Sequence, residues 1–97
     1  MKIKILASAS RDLIEGYRFY EFQAEGVGAY FLDSLYSDID SLIISAGMHS
    51  VHFGKYHRLL SKRFPFAAYY RIEEQTVFVH AVLDCRRNPA WTRKRLA

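Results

Sequence analysis

Phe66-Ala67-Ala68-Tyr69-Tyr70-Arg71-Ile72, then Glu73-Glu74-Gln75, then Thr76-Val77-Phe78-Val79-His80-Ala81-Val82-Leu83, is the stretch that decides the fold. Both runs are rich in β-branched and aromatic residues, and the connection between them suits an antiparallel hairpin while being too short for a parallel crossover. Upstream, Tyr56-His57-Arg58-Leu59-Leu60-Ser61-Lys62 repeats the pattern and is joined by another short connection that contains Phe64-Pro65. The last run is apolar on both faces, so it reads as a central strand with something packed on each side.

Working outward toward the N-terminus, Lys2 to Leu6 alternates polar with apolar and predicts a first strand over 2–6. Ser8 or Ser10 is placed to cap a helix, with Asp12 favourable against its dipole. The apolar face of that helix is Ala9, Leu13, Tyr17, Tyr20 and Ala24. Gly26-Val27-Gly28 then reads as an interhelical bend, since it lacks the further glycine and the preceding strand of a nucleotide-binding turn. A second helix carries Phe31, Leu35, Ile39 and Leu42 and should stop at Ala46-Gly47. The order is β-α-α-β-β-β, an α+β fold with a helical hairpin on one face of an antiparallel sheet and a short basic C-terminal segment.

Composition bounds the rest. The chain of 97 residues, 51% hydrophobic and 25% charged, fits one domain over 1–97 and excludes a disordered or fibrous chain. The formal net charge is +4, and it is unevenly spread: residues 1–48 carry 4 − 7 = −3, residues 49–97 carry 10 − 3 = +7. An acidic partner for the C-terminal half is the physical consequence. A single cysteine, Cys85, closes no intrachain disulfide, and no apolar run reaches membrane-spanning length, so the expected setting is the cytoplasm, with no membrane association.

Candidate chemistry is sparse. His49 and His52 lack the further ligands a zinc site needs, so no metal and no cofactor is expected. Cys85 stands five residues from His80, an odd separation that puts the two on opposite sides of a regular strand, so no activated thiol is expected. The densest constellation is Asp84-Cys85-Arg86-Arg87-Asn88-Pro89-Ala90-Trp91, in which adjacent guanidinium groups suit capture of carboxylate or phosphate. The competing reading is internal, with Arg87 paired to Asp84 or to a helix carboxylate and Trp91 covering the sheet edge. Because the tail follows the last core strand, removing residues 89–97 is expected to cost little core burial. The sheet face away from the helices is expected to lie bare, apolar and cationic.

Taken together, these segments resemble the RelE/ParE toxin superfamily of bacterial toxin–antitoxin modules, and within it the ParE-like plasmid-stabilisation toxins. The resemblance rests on Ser10-Arg11-Asp12-Leu13-Ile14-Glu15-Gly16 with Phe19-Tyr20-Glu21, on Gly26-Val27-Gly28 before Phe31, and on Tyr56-His57-Arg58-Leu59-Leu60 through Arg63-Phe64-Pro65-Phe66. Tyr69-Tyr70-Arg71-Ile72 and Ala81-Val82-Leu83-Asp84 leading to Arg86-Arg87-Asn88-Pro89 complete it. It implies a type II toxin neutralised by a cognate ParD-like antitoxin, held at Tyr56, Arg58, Tyr70 and Arg71, with a homodimer or a heterotetramer with the antitoxin as the implied assemblies. It further implies inhibition of DNA gyrase by binding, with Arg86, Arg87 and Trp91 meeting the target. The alternative is a ribosome-dependent mRNA endoribonuclease using Arg58, Lys62 and Arg87, or an attenuated module that only binds antitoxin. Against the ribonuclease, the arginine expected after the last strand falls at about Cys85 and the expected tyrosine at about Trp91, which removes groups needed to move protons and stabilise a crowded phosphate.

Overall fold

The computed structural model describes residues 1–97. Strand β1 (Lys2–Ile5) leads into helix α1 (Ala7–Gln23), helix α2 (Val27–Asp40) and a single turn α3 (Leu42–Ser45). Strands β2 (Val51–His52), β3 (Tyr56–Leu60), β4 (Phe66–Glu73) and β5 (Thr76–Asp84) follow, and helix α4 (Pro89–Leu96) ends the chain.

The α+β arrangement with a helical hairpin on a sheet is as read from the sequence, with one difference in the sheet. Its order is β1-β5-β4-β3-β2, and β1 runs parallel to β5 while every other pair is antiparallel, so the sheet is mixed. The helical hairpin carries the chain from β1 to the far edge, from which successive hairpins return β5 to β1 in the same direction. The central position of β5 follows from its apolar character on both faces. Local alternation says nothing about which strands become neighbours, so the parallel pairing was not legible there.

Close packing of α1 on α2 depends on glycine. A Cβ at Gly16 would stand 2.5 Å from the Phe31 ring, and one at Gly28 would stand 2.7 Å from the Tyr17 carbonyl oxygen. Gly26 turns the chain with φ of +89°, and the Glu21 carboxylate accepts from the amides of Gly26 and Gly28, satisfying donors at the start of α2. Beneath the hairpin, Leu13, Phe31, Leu35, Ile39 and Leu42 pack on Ala68, Tyr70, Val77, Val79 and Val82. Each large side chain buried in this layer contributes about 1.5–3 kcal/mol.

Several local expectations are corrected. Helix α1 starts at Ala7 with no side-chain cap: the Ser8 hydroxyl instead donates to the His80 carbonyl at 2.7 Å, and Asp12 turns inward to β5. The second helix breaks at Ser41, whose hydroxyl donates to the Asp38 carbonyl, before resuming as α3, which ends at Ser45, two residues ahead of Gly47 with its φ of +90°. Val51 and His52, outside the strands expected from the sequence, form β2 by pairing with His57 and Tyr56 across Phe53 and Gly54, both at positive φ. In β5 the register passes from Ala81 opposite Tyr69 to Val79 opposite Tyr70, which leaves His80 as the extra residue of a bulge. Beyond that bulge, counting by twos along β5 no longer assigns faces, so the odd separation of His80 and Cys85 has no geometric force.

The tail is the largest correction. It forms α4, capped by the Asn88 side chain accepting from the Ala90 amide at 2.7 Å, with Pro89 in the first turn. Leu96 is buried with Tyr56, Ala67, Tyr69, Ala81 and Leu83 in a second core on the far face of the sheet. That face is therefore partly covered by the chain itself, and removing residues 89–97 would open this core.

Candidate functional site

The geometry around α4 follows from the shortness of β1. Past Ile5, β5 has no strand on that side, so its outward groups at His80 and Val82 need other partners. Helix α1 supplies them: Ser8 donates to the His80 carbonyl, and the Val82 amide donates to Asp12 Oδ2 at 3.0 Å. The same carboxylate receives Arg95 of α4 at 2.6 and 2.7 Å. Burial pushes the Asp12 carboxyl above the usual carboxylate range, outweighing the Val82 amide and the Arg95 guanidinium, which both act to lower it. On the other side of α4, the Tyr56 hydroxyl donates to the Leu96 carbonyl at 3.1 Å. Helix α4 is thus fixed to α1 by one of its faces and to the sheet by the other.

Between α1, the end of β5 and α4 lies a cleft of about 630 Å³, whose wall includes Arg11, Glu15 and Phe19 of α1 and Asp84, Arg87 and Trp91 at its other side. Arg87 stacks over the Trp91 ring with its guanidinium carbon 4.2 Å from the ring centroid. Trp91 remains 39% exposed. Asp84 is engaged by Arg86, through the Arg86 backbone amide at 2.8 Å and a forked guanidinium contact at 3.0 and 2.7 Å. Those Arg86 hydrogen bonds hold the Asp84 carboxyl below its ordinary range, against the opposing effect of burial. The internal pairing read for Asp84 thus exists, with Arg86 as its partner, and Arg87 is left to Trp91.

The residues expected to meet an antitoxin do not share one surface. Tyr56, Arg58 and Arg71 belong to the face that carries α4, whereas Tyr70 is fully buried beneath the helical hairpin. Tyr56 is also buried, leaving Arg58 and Arg71 partly open to solvent. Arg58 stands opposite Tyr69 in the ladder and has its Nε buried without a hydrogen-bond partner, while Arg71 pairs with Glu73. The set expected for RNA cleavage is dispersed too. Arg87 lines the cleft and Arg58 and Lys62 do not, and the Lys62 amide is drawn to Asp38 Oδ2 at 3.3 Å.

The histidines serve the scaffold. The Tyr70 hydroxyl accepts from the Gly47 amide at 3.0 Å and lies 2.6 Å from His49 Nδ1, while His57 stacks on Tyr70 and its Nδ1 donates to the His49 carbonyl at 2.8 Å. Burial lowers His49, with the His57 charge second, and burial likewise lowers His52 and His80. His80 lies edge-on to Tyr56 at 5.2 Å, and burial pushes the Cys85 thiol up, the opposite of activation. No helix is long and apolar enough to cross a membrane.

Sequence reading missed Arg11, Glu15 and Phe19 as parts of the cleft. Their signal was present, a stripe at steps of four along α1, but it lies beside the apolar face that packs on the sheet and was indistinguishable from solvated surface until α4 was placed against it.

No protein-family model matches this chain, and no curated protein matches it. Among solved structures, a chain described as "Chromosomal ParDE TA system from P. aeruginosa" is similar over 84% of this chain and 92% of its own length, with a TM-score of 0.78 and 17% sequence identity. Identity at that level speaks to fold. The helical hairpin on a sheet that the resemblance to the RelE/ParE superfamily implied is the fold of this chain, shared with a chain of that ParDE toxin–antitoxin system.

Proposed function

We propose that this protein is the toxin of a type II toxin–antitoxin module, acting in the cytoplasm by binding DNA gyrase and neutralised by a ParD-like antitoxin. The observation that carries the reading is the Arg87–Trp91 pair at the mouth of the cleft, on a fold shared with a ParDE system. A guanidinium stacked on an exposed indole is the composition that binding hot spots favour. Arg86 forms the ion pair with Asp84, and Arg87 makes no ion pair of its own, stacking on Trp91 instead. Binding alone accounts for the site: the basic groups that RNA cleavage would require stand apart, and His49, His57 and His80 are already engaged in the scaffold. On the antitoxin side, Arg58 and Arg71 are the accessible members of the expected contact set.

The test adds purified, antitoxin-free protein to a gyrase supercoiling reaction and, in parallel, to a cell-free translation reaction. Inhibition of supercoiling with intact message supports the proposal. Cleaved message overturns it in favour of a ribonuclease, and inhibition of neither overturns it in favour of an attenuated, antitoxin-binding module.

A further inference from the structure

The segment that leads into β2 is tied to the sheet through one phenol. Tyr70 of β4 is wholly buried, and its oxygen accepts from the Gly47 amide at 3.0 Å. Its hydroxyl still has a hydrogen to donate, and His49 Nδ1, at 2.6 Å, is the one acceptor within reach. His49 is therefore held as the neutral ring with its proton on Nε2. Beside it, His57 of β3 stacks on Tyr70 and donates from Nδ1 to the His49 carbonyl at 2.8 Å.

Little else holds β2. It pairs only through Val51 opposite His57 and His52 opposite Tyr56, with the Arg58 amide donating to the Ser50 carbonyl at 3.0 Å. The turn that follows sets Phe53 at φ of +55°, a region that disfavours a bulky side chain, and Val51 is 55% exposed.

A proton taken up by His49 has only Nδ1 to occupy. The Tyr70 hydrogen then loses its acceptor inside a buried site, and the new N–H is aimed at an oxygen already engaged by Gly47. The groups that face His49 give a cation no support: Tyr70 from β4, His57 from β3 and the peptide groups of its own segment, with no carboxylate paired to it. Burial, with the His57 charge second, holds His49 below its ordinary value, in agreement with that geometry. His52 is lowered too, by burial and then by Arg58, but its Nε2 meets the hydroxyl of exposed Ser50 at 3.0 Å, which turns to accept when the ring is charged.

We infer that the Tyr70–His49 hydrogen bond is an acid-sensitive latch: protonation of His49 frees residues 47–52 from the sheet and leaves β3 as its edge, while the rest of the fold stays in place. The inference is independent of the target reading. Its sign follows from linkage. Release returns His49 to a value near 6.5, so the closed segment binds fewer protons than the open one, and the open population grows as pH falls below 6.5.

Amide hydrogen exchange of the full chain, followed by NMR from pH 7.5 to 5.5 and expressed as protection factors, tests this, since the pH dependence of intrinsic exchange then cancels. The Gly47 and Arg58 amides report the latch, and the Leu6 amide, which donates to the Val79 carbonyl at 3.0 Å, reports the whole fold. Gly47 and Arg58 are expected to be less protected than Leu6 throughout and to lose about tenfold in protection across that range. In His49→Asn, whose side-chain oxygen replaces Nδ1 as an acceptor that does not titrate, the Arg58 loss should shrink to less than about threefold. Tyr70→Phe keeps the ring and removes the hydroxyl, so Arg58 should be poorly protected already at pH 7.5, with Leu6 verifying that the variant folds. Arg58 protection equal to that of Leu6 at every pH would overturn the inference, because the segment would then open only with the whole chain. An undiminished tenfold loss in His49→Asn, or wild-type Arg58 protection at pH 7.5 in Tyr70→Phe, would overturn it as well.

Discussion

Replacing Asp12 separates two roles that its carboxylate combines. It accepts the Val82 amide on the open side of β5, and it pairs with Arg95 to hold α4. In Asp12→Ala the Val82 amide is left buried without an acceptor, a loss of about 1–3 kcal/mol. The ion pair adds little, about 0.5 kcal/mol, since the Arg95 side chain is 30% exposed and loses its partner to water. Relief of the desolvation that raises the Asp12 carboxyl offsets part of the loss. The net expectation is about 2 kcal/mol, or a melting temperature lower by roughly 10 °C. Asp12→Asn keeps an acceptor for Val82 and removes the buried charge, so it should stay within about 1 kcal/mol of the wild type. The pH dependence has a definite sign. A carboxyl raised by the fold disfavours the folded state above its folded pKa, and that penalty is relieved as pH falls through it, so the wild type should gain on Asp12→Asn under acid conditions. Urea denaturation of the three proteins across pH measures this. An Asn variant as unstable as the Ala variant would refute the reasoning, because it would assign the stabilisation to charge instead of to the hydrogen bond.

Removal of residues 89–97 should destabilise by about 3–4 kcal/mol, since it exposes the Leu96 site and breaks the Tyr56 and Asp12 contacts; a chemical denaturation curve that matches the full chain would contradict the second core. Gly16→Ala should cost about 1–2 kcal/mol net, overpacking against Phe31 exceeding the helix propensity gained, and a stabilised variant in the same assay would show that the helices can part freely. Stability should fall as pH drops through 6.5, where the unfolded histidines charge while His49, His52 and His80, all lowered by burial, stay neutral in the fold. His49→Gln should flatten that slope, and an unaltered slope would count against the Tyr70 cluster as its source.

How much was legible follows from what each element depends on. Periodicity located α1, the start of α2 and the three long strands to within a residue or two because burial on one face leaves a local imprint, but it ran the second helix on through the break at Ser41. The parallel pairing of β1, the bulge at His80 and the docking of α4 depend on neighbours distant in sequence, and Lys2 to Leu6 reads the same whichever strand lies beside it. Asp12 shows the difficulty most clearly. As a first-turn acid it reads as a dipole partner, and only the early end of β1 gives it the Val82 amide. For the site, Arg87 and Trp91 stood out as a dense cluster in one segment, while Arg11 and Phe19 joined them only through the contact of α4 with α1. Arg86 and Arg87 were indistinguishable in sequence, and the fork to Asp84 separates them.

The central claim, that this chain arrests its target through Arg87 and Trp91 without chemistry of its own, is tested most directly by gyrase supercoiling inhibition with the wild type, Arg87→Ala and Trp91→Ala at matched folded concentration. Arg87 is exposed, so its variant should keep its melting temperature within a few degrees. Trp91 is only 39% exposed, and its truncation should lower the melting temperature through lost burial, which matching the folded concentration removes from the comparison. The account predicts inhibition by the wild type and a potency about tenfold lower in each variant, corresponding to about 1–2 kcal/mol of lost contact. Undiminished inhibition by both folded variants, or a wild type that leaves supercoiling untouched, would contradict it.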